Sequence, residues 1–252
     1  MSLRHFPKLE RLITCKDEAV AAGHTHSGLS RSVDLSTTPL SMCLGGVRFT
    51  VILIDPPWYE YFGQSGGEGF YWNFEQIISL DISAISAEQS FCFIWAGNRH
   101  VEQATACLSH WGFRRIETIC WIKSKDTNKT YGARNFFLTN KEYLLVGIKG
   151  SVSRSVDHHL IHANIDHDVV FSEGKPDEVY KIIERFCNSK SRLELFATRT
   201  RPGWVSLGTG FDDTFDARMY IDNHLGFTPT TAEIEQLRPK SPLFRSNTVK
   251  QP

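Results

Sequence analysis

Asp55-Pro56-Pro57-Trp58 is the stretch of this 252-residue chain with the clearest chemical content. It follows Val51-Ile52-Leu53-Ile54, an apolar, β-branched run that reads as a buried parallel strand. The carboxylate therefore emerges at the strand's C-terminal end, where open α/β sheets bind their ligands. Two prolines fix φ and supply no N–H, so the turn presents rigid carbonyls between an acid and a large aromatic face. Such a set suits a flat ring that carries an amine. The plainer alternative is an Asp-Pro-Pro turn that ends a strand, with Trp58 an ordinary core residue.

The chemistry that calls for this set is methyl transfer to the exocyclic amine of adenine. The lone pair of that nitrogen is delocalised into the ring. A carboxylate and a backbone carbonyl that accept its two N–H groups favour a localised, attacking pair. Trp58 is expected to hold the ring by stacking, worth roughly 1–3 kcal/mol per base.

At these residues the sequence resembles the adenine-N6 methyltransferases of the eukaryotic mRNA-methylating type. The likeness runs from about Phe6 to Gly208 and includes Phe91-Cys92-Phe93-Ile94-Trp95, Trp111-Gly112-Phe113, Cys120-Trp121-Ile122-Lys123 and Lys141-Glu142. It continues through Val146-Gly147-Ile148-Lys149-Gly150, Ile161-His162-Ala163-Asn164, Ile183-Glu184-Arg185-Phe186-Cys187 and Arg201-Pro202-Gly203-Trp204. The last of these and the Ile-His-Ala-Asn stretch look more like the partner-type subunit of that family, methyltransferase-like fourteen, than the catalytic type. The chain nevertheless keeps Asp55 and Trp58, which the partner type has lost.

The resemblance implies an α/β sandwich of the S-adenosylmethionine-dependent methyltransferase (Rossmann-like) type, in circularly permuted order, with a mixed, mostly parallel sheet. It implies Asp55, Pro56, Pro57 and Trp58 as the catalytic set. Asp55 and Lys175 are implied as cofactor residues, since the matching Lys of catalytic relatives contributes to the S-adenosylmethionine pocket. Catalytic relatives also carry a His- and Asn-bearing loop after the Glu-Leu-Phe strand and an Asn-Gln pair after the last strand. Here those places read Ala197-Thr198-Arg199-Thr200 and Thr209-Gly210, which leaves Arg199 and Thr209 as the cofactor candidates. The adenosine end of the pocket thereby loses several hydrogen bonds at about 0.5–1.5 kcal/mol each. The implied partners are a paralogous methyltransferase subunit, in a heterodimer, and RNA, with DNA as the alternative. The implied location is the nucleus. A noncatalytic, nucleic-acid-binding scaffold subunit is the competing role.

Composition bounds these readings. With 41% hydrophobic and 12% aromatic residues the chain buries a substantial core. No apolar run approaches the roughly 20 residues of a membrane-spanning helix, so no membrane role is expected. Six scattered cysteines without a Cys-x-x-Cys pair read as reduced core residues of an intracellular protein. No Gly-x-Gly-x-x-Gly loop is present, which disfavours a nicotinamide dehydrogenase. The 28 basic and 28 acidic side chains cancel, which argues against a surface that grips phosphate everywhere. Between Trp121 and Arg154, however, seven bases face only Asp126 and Glu142. Lys123, Lys149 and Arg154 are therefore candidate phosphate contacts in a groove. Four histidines between His158 and His167 fit no familiar zinc spacing, and no metal is assigned.

The surrounding elements follow from periodicity. Phe6 to Ala22 reads as an amphipathic helix and Gly23 to Thr38 as a linker. Residues 1–40 are thus an N-terminal helix and linker, 41–210 the methyltransferase domain, and 211–252 a partly disordered extension. Glycine-rich Tyr59 to Tyr71 suits a loop over the pocket, and a short helical stretch follows from Trp72 to Leu80. Ser90 to Ala96, Arg114 to Lys123, Glu142 to Lys149, Arg192 to Ala197 and Trp204 to Gly208 are expected strands. Asn98 to Trp111 is an expected helix with Asn98 as cap and Gly112 as stop. Lys175-Pro176-Asp177-Glu178 opens another. Ser124 to Asn140 and Ser151 to Asp168 read as loops.

Overall fold

Strands whose alternate residues are apolar on both faces need cover on both faces, and the chain builds a three-layer α/β/α arrangement to provide it. The structure, a computed structural model, describes residues 7–59, 71–123, 141–151, 164–167, 175–228 and 230–238. Its sheet consists of β1 (Leu29–Ser32), β2 (Phe49–Ile54), β3 (Ser86–Ala96), β4 (Arg114–Lys123), β5 (Lys141–Lys149), β6 (Asn164–His167), β7 (Arg192–Leu195) and β8 (Val205–Gly208). Their order is β1-β8-β7-β2-β3-β5-β4-β6. Only β5 is antiparallel to its neighbours; β4, on its far side, again runs with β2 and β3.

One face of the sheet, with Ile52, Ile54, Cys92, Ile94, Leu193 and Leu195, is buried in a core that includes Leu40, Ile77, Ile82, Leu108 and Tyr220. These come from α2 (Leu40–Cys43), α3 (Phe74–Ile78), α4 (Ile82–Ile85), α5 (Val101–His110) and α7 (Ala217–His224). The other face, with Val51, Leu53, Phe91, Phe93 and Trp95, packs on Val179, Ile182, Ile183 and Phe186 of α6 (Asp177–Phe186). Outside α6 lies α1 (Pro7–Ala22), tied to it by Asp17–Arg185 at 3.0 Å and by Lys16 Nζ donating to Asn188 at 2.8 Å. A small separate core of Leu12, Cys15 and Ile234 joins α1 to α8 (Ala232–Leu237).

The helix at Pro7 to Ala22, the five apolar strands and the helix after Lys175 form as their periodicity predicts, with β3 beginning four residues early. Gly112, at φ +84°, ends α5 as expected. Other expectations are corrected. The segment read as a linker supplies β1, a polar strand held by pairing with β8 and by Ser30 bonds to Asp212 and Thr214 rather than by apolar burial. Within the stretch read as a loop, residues 164–167 pair in parallel with β4. Within 211–252, read as a partly disordered extension, the chain forms α7 and α8, capped by Asp216 and Thr231. Each buries a single side chain, Tyr220 or Ile234, which leaves no hydrophobic stripe to read. The N-cap position of α5 falls at His100 and not Asn98, without a side-chain cap bond; the His100 ring stacks on Trp58 instead. The loops expected over residues 60–70 and 124–140, three of the four clustered histidines, and the tail after Arg238 lie outside the described residues.

Candidate functional site

The turn after β2 is fixed by backbone bonds rather than by its prolines alone. Asp55 N–H donates to Leu195 O at 3.3 Å, which places its carboxylate just past the junction of β2 and β7. Trp58 N–H donates to Pro56 O at 2.9 Å, and Trp72 N–H donates to Pro57 O at 2.8 Å. Both carbonyls expected to face a ligand therefore already accept one internal bond, leaving each a single lone pair. Trp58 is 1% exposed, stacks on His100 at 4.8 Å with an interplanar angle of 11°, and donates its ring N–H to Trp95 O at 2.9 Å. The face expected to hold a base is thus occupied, and the ring anchors the turn in the core under α5.

Asp55 follows Val51 and Leu53 in the alternation that faces α6. There Lys175, two residues before α6, places Nζ 3.2 Å from Asp55 Oδ1 and 2.6 Å from Glu142 Oε2, with the Trp95 ring 4.9 Å away. The carboxylates of Asp55, just past β2, and of Glu142, on β5, share this ammonium. The side chains are 31%, 15% and 14% exposed for Asp55, Glu142 and Lys175, enough shielding for charge to matter. Two expected residues, Asp55 and Lys175, are brought together; Glu142 and Trp95 were missed. Glu142 opens a strand across the sheet, and only topology makes it a neighbour of Asp55.

A second polar group lies beside the first. Glu194 of β7 pairs with Leu53 and is 6% exposed. Its Oε1 accepts from Tyr180 O–H at 2.5 Å, while its Oε2 has no hydrogen-bond partner among the described residues. Burial pushes its carboxyl up to about 7. The Arg201 guanidinium lies 3.5 Å from the centre of the Tyr180 ring and pairs with Asp177 at 2.7 Å. Arg199, a cofactor candidate, is held by the same Asp177 at 2.6 Å. Thr209 is exposed just beyond β8, where Gly208 passes so close to Ala197 O that a Cβ would meet it at 2.3 Å. Phe196, directly after β7, has φ +59° and sets its ring edge-on to Trp72 at 5.0 Å. A left-handed phenylalanine costs roughly 1 kcal/mol or more, and no feature of the sequence announces it.

Of the basic stretch, the described Lys123 and Lys149 stand toward opposite edges of the sheet. Lys123 ends β4 at the carboxyl edge of the sheet, the edge that holds Asp55. Lys149 ends the reversed strand β5 opposite Ser90, five residues and about 16 Å along the strands from the level of Asp55, and donates to Ser86 Oγ at 2.8 Å. Arg154 lies outside the described residues.

A mostly parallel α/β sheet with this turn at its carboxyl edge is the fold of a Rossmann-like methyltransferase. Residues 49–210 match the MT-A70 family, and the chain belongs to it. It is 38% identical, over 96% of its length, to a Xenopus laevis protein named N(6)-adenosine-methyltransferase non-catalytic subunit METTL14, and covers 57% of that protein. It is 44% identical, over 69% of its length, to the Arabidopsis thaliana N6-adenosine-methyltransferase non-catalytic subunit MTB, covering 24% of it. A rice protein named as a probable N(6)-adenosine-methyltransferase, MT-A70-like, is 33% identical over 64% of the chain and covered to 23%. The chain thus spans from about a quarter to about two thirds of the length of the curated relatives it matches.

Proposed function

We propose that this chain is a subunit of an S-adenosylmethionine-dependent methyltransferase that modifies adenine at N6 in RNA, and that its own acceptor site is competent. The observation that supports this best is Asp55 at the carboxyl end of β2, held 3.2 Å from Lys175 in a partly shielded cluster. The donor set fits the methyl donor's chemistry. Lys175 suits an amino-acid carboxylate, Asp55 and Glu142 suit an ammonium or sulfonium, and Glu194 offers an unsatisfied buried oxygen.

When bound, S-adenosylmethionine supplies an electrophilic methyl group. The residues do the rest. Asp55 accepts one N–H of the adenine amine, and the remaining lone pair of Pro57 O is available to the other, which localises the nitrogen pair toward attack. Lys175, 3.2 Å from its Oδ1, holds Asp55 in orientation. Trp58 fixes the turn from below and contributes rigidity, not stacking. Adenine enters unpaired or flipped, at a cost of a few kcal/mol. A paralogous subunit in a heterodimer, in the nucleus, completes this reading, with Lys123 beside the entering strand.

A noncatalytic scaffold is the second reading, favoured by the names of the Xenopus and Arabidopsis relatives and by the occupied face of Trp58. Transfer of labelled methyl from S-adenosylmethionine to an unpaired adenosine RNA, by the chain co-expressed with a catalytic-type paralogue inactivated at its own acceptor Asp, separates the two. Turnover supports a competent site. RNA binding without turnover supports the scaffold.

A further inference from the structure

We propose that Glu194 makes the site prefer the positively charged methyl donor over its neutral thioether product. This rests on the methyltransferase reading above and extends it to a residue outside the acceptor turn. Glu194 stands on the strand next to Asp55, two residues lower on the same face, about 7 Å along the sheet. One carboxylate oxygen is fixed by the Tyr180 hydroxyl, and the other has no partner among the described residues. Burial pushes the Tyr180 phenol far up, so it stays protonated and donates to Glu194.

The charges that face Glu194 come from three elements: Asp55 on β2, Tyr180 on α6, and Arg199 and Arg201 between β7 and β8. Burial raises its carboxyl most; the Tyr180 bond and Arg201 oppose this, and Asp55 adds to it. The acid is therefore balanced between its neutral and ionised forms near neutral pH. A cation arriving beside Asp55 offsets the repulsion between the two carboxylates and draws Glu194 to its ionised form. A sulfonium does this. A thioether with the same ends brings only the zwitterionic amino-acid group, whose ammonium and carboxylate cancel, and lacks this extra positive charge. Donor binding is thus coupled to proton release, and product binding is not.

Calorimetry of the full chain at pH 7, in phosphate and in Tris, reads the coupled protons directly. S-adenosylmethionine should release roughly half a proton per site and S-adenosylhomocysteine close to none. Glu194→Gln keeps an acceptor for Tyr180 and should abolish the release, narrowing the preference for donor over product by roughly fivefold. Equal proton release for both molecules, or a release unchanged by the substitution, would overturn the proposal. Binding of both without any release overturns it alone. Failure of either molecule to bind overturns the cofactor reading and this proposal with it.

Discussion

Lys175 and Asp55, 120 positions apart in sequence, meet at 3.2 Å across the carboxyl edge of the sheet. The contact joins the two halves of the site. Asp55 is fixed by the end of β2, Lys175 by the start of α6, and α6 is held in turn by its apolar face and by Asp17 of α1. The same ammonium serves Glu142 at 2.6 Å, so neither carboxylate is left facing the other uncompensated.

Asp55→Asn should lower methyl transfer by at least about 10²-fold, because an amide presents its N–H₂ where an acceptor is needed. Lys175 retains Glu142, so the melting temperature should move little. Near-normal turnover in an assembled complex would show that Asp55 is not the acceptor.

Lys175→Met should do the reverse to stability. It leaves Asp55 and Glu142 together without their shared cation, both largely shielded. Removing one partner of a buried ionic group costs about 3–5 kcal/mol, and the partial exposure here reduces this to about 2 kcal/mol. Urea unfolding checks it: an unchanged midpoint would mean that water screens the cluster. Affinity for S-adenosylmethionine should fall in the same variant.

These two residues show what sequence can carry. Asp55 was legible because a β-branched run before it fixed a strand, and Lys175 because Pro176 and two acids announced a helix start. Glu142 and Glu194 were not, because their importance comes from strands placed side by side by crossovers that leave no local mark. Trp58 was read as a platform since an aromatic beside an acid suits a base, and the stacked His100 that covers it lies 42 positions away. The polar strand β1 and the helices α7 and α8, each with one buried side chain, escaped for a shared reason. Hydrogen bonds and caps hold them, and these have no period.

Glu194→Gln should change the pH dependence of stability. Burial raises this acid from 4.5 to about 7, so the folded protein binds more protons than the unfolded chain between those values. Its contribution is full below about pH 4.5 and is lost as pH rises through 7. The variant should therefore be more stable than the wild type by about 2 kcal/mol at pH 8 and indistinguishable from it near pH 4.5. His26, lowered to about 4 by burial, acts in the opposite direction and destabilises the fold as pH falls from 6.5 toward 4. Melting curves of the two proteins across this range isolate Glu194, since His26 is common to both. A constant difference at every pH would show that Glu194 does not titrate there.

Lys123 and Lys149 should differ in nucleic-acid binding although both lie in the one basic stretch of sequence. Because β4 runs with β2, Lys123 lies on the Asp55 side of the sheet, three strand spacings (about 14 Å) across and four residues (about 13 Å) farther along, whereas the reversal of β5 puts Lys149 toward the far edge. A strand whose adenine reaches Asp55 can pass Lys123, whereas Lys149 is engaged with Ser86 and lies 5.8 Å from the centre of the Phe113 ring. Each phosphate neutralised by a base contributes about 0.9 to the slope of log affinity against log salt for duplex, and about 0.7 for single strands. Lys123→Ala should therefore reduce the slope for a single-stranded RNA by about 0.7 and weaken unrelated sequences equally. Lys149→Ala should leave the slope unchanged and cost only the few tenths to about 1 kcal/mol of a partly exposed hydrogen bond. A salt titration of the assembled complex decides between them: a slope that falls with Lys149→Ala and not with Lys123→Ala would place the nucleic-acid path on the opposite edge of the sheet, away from Asp55.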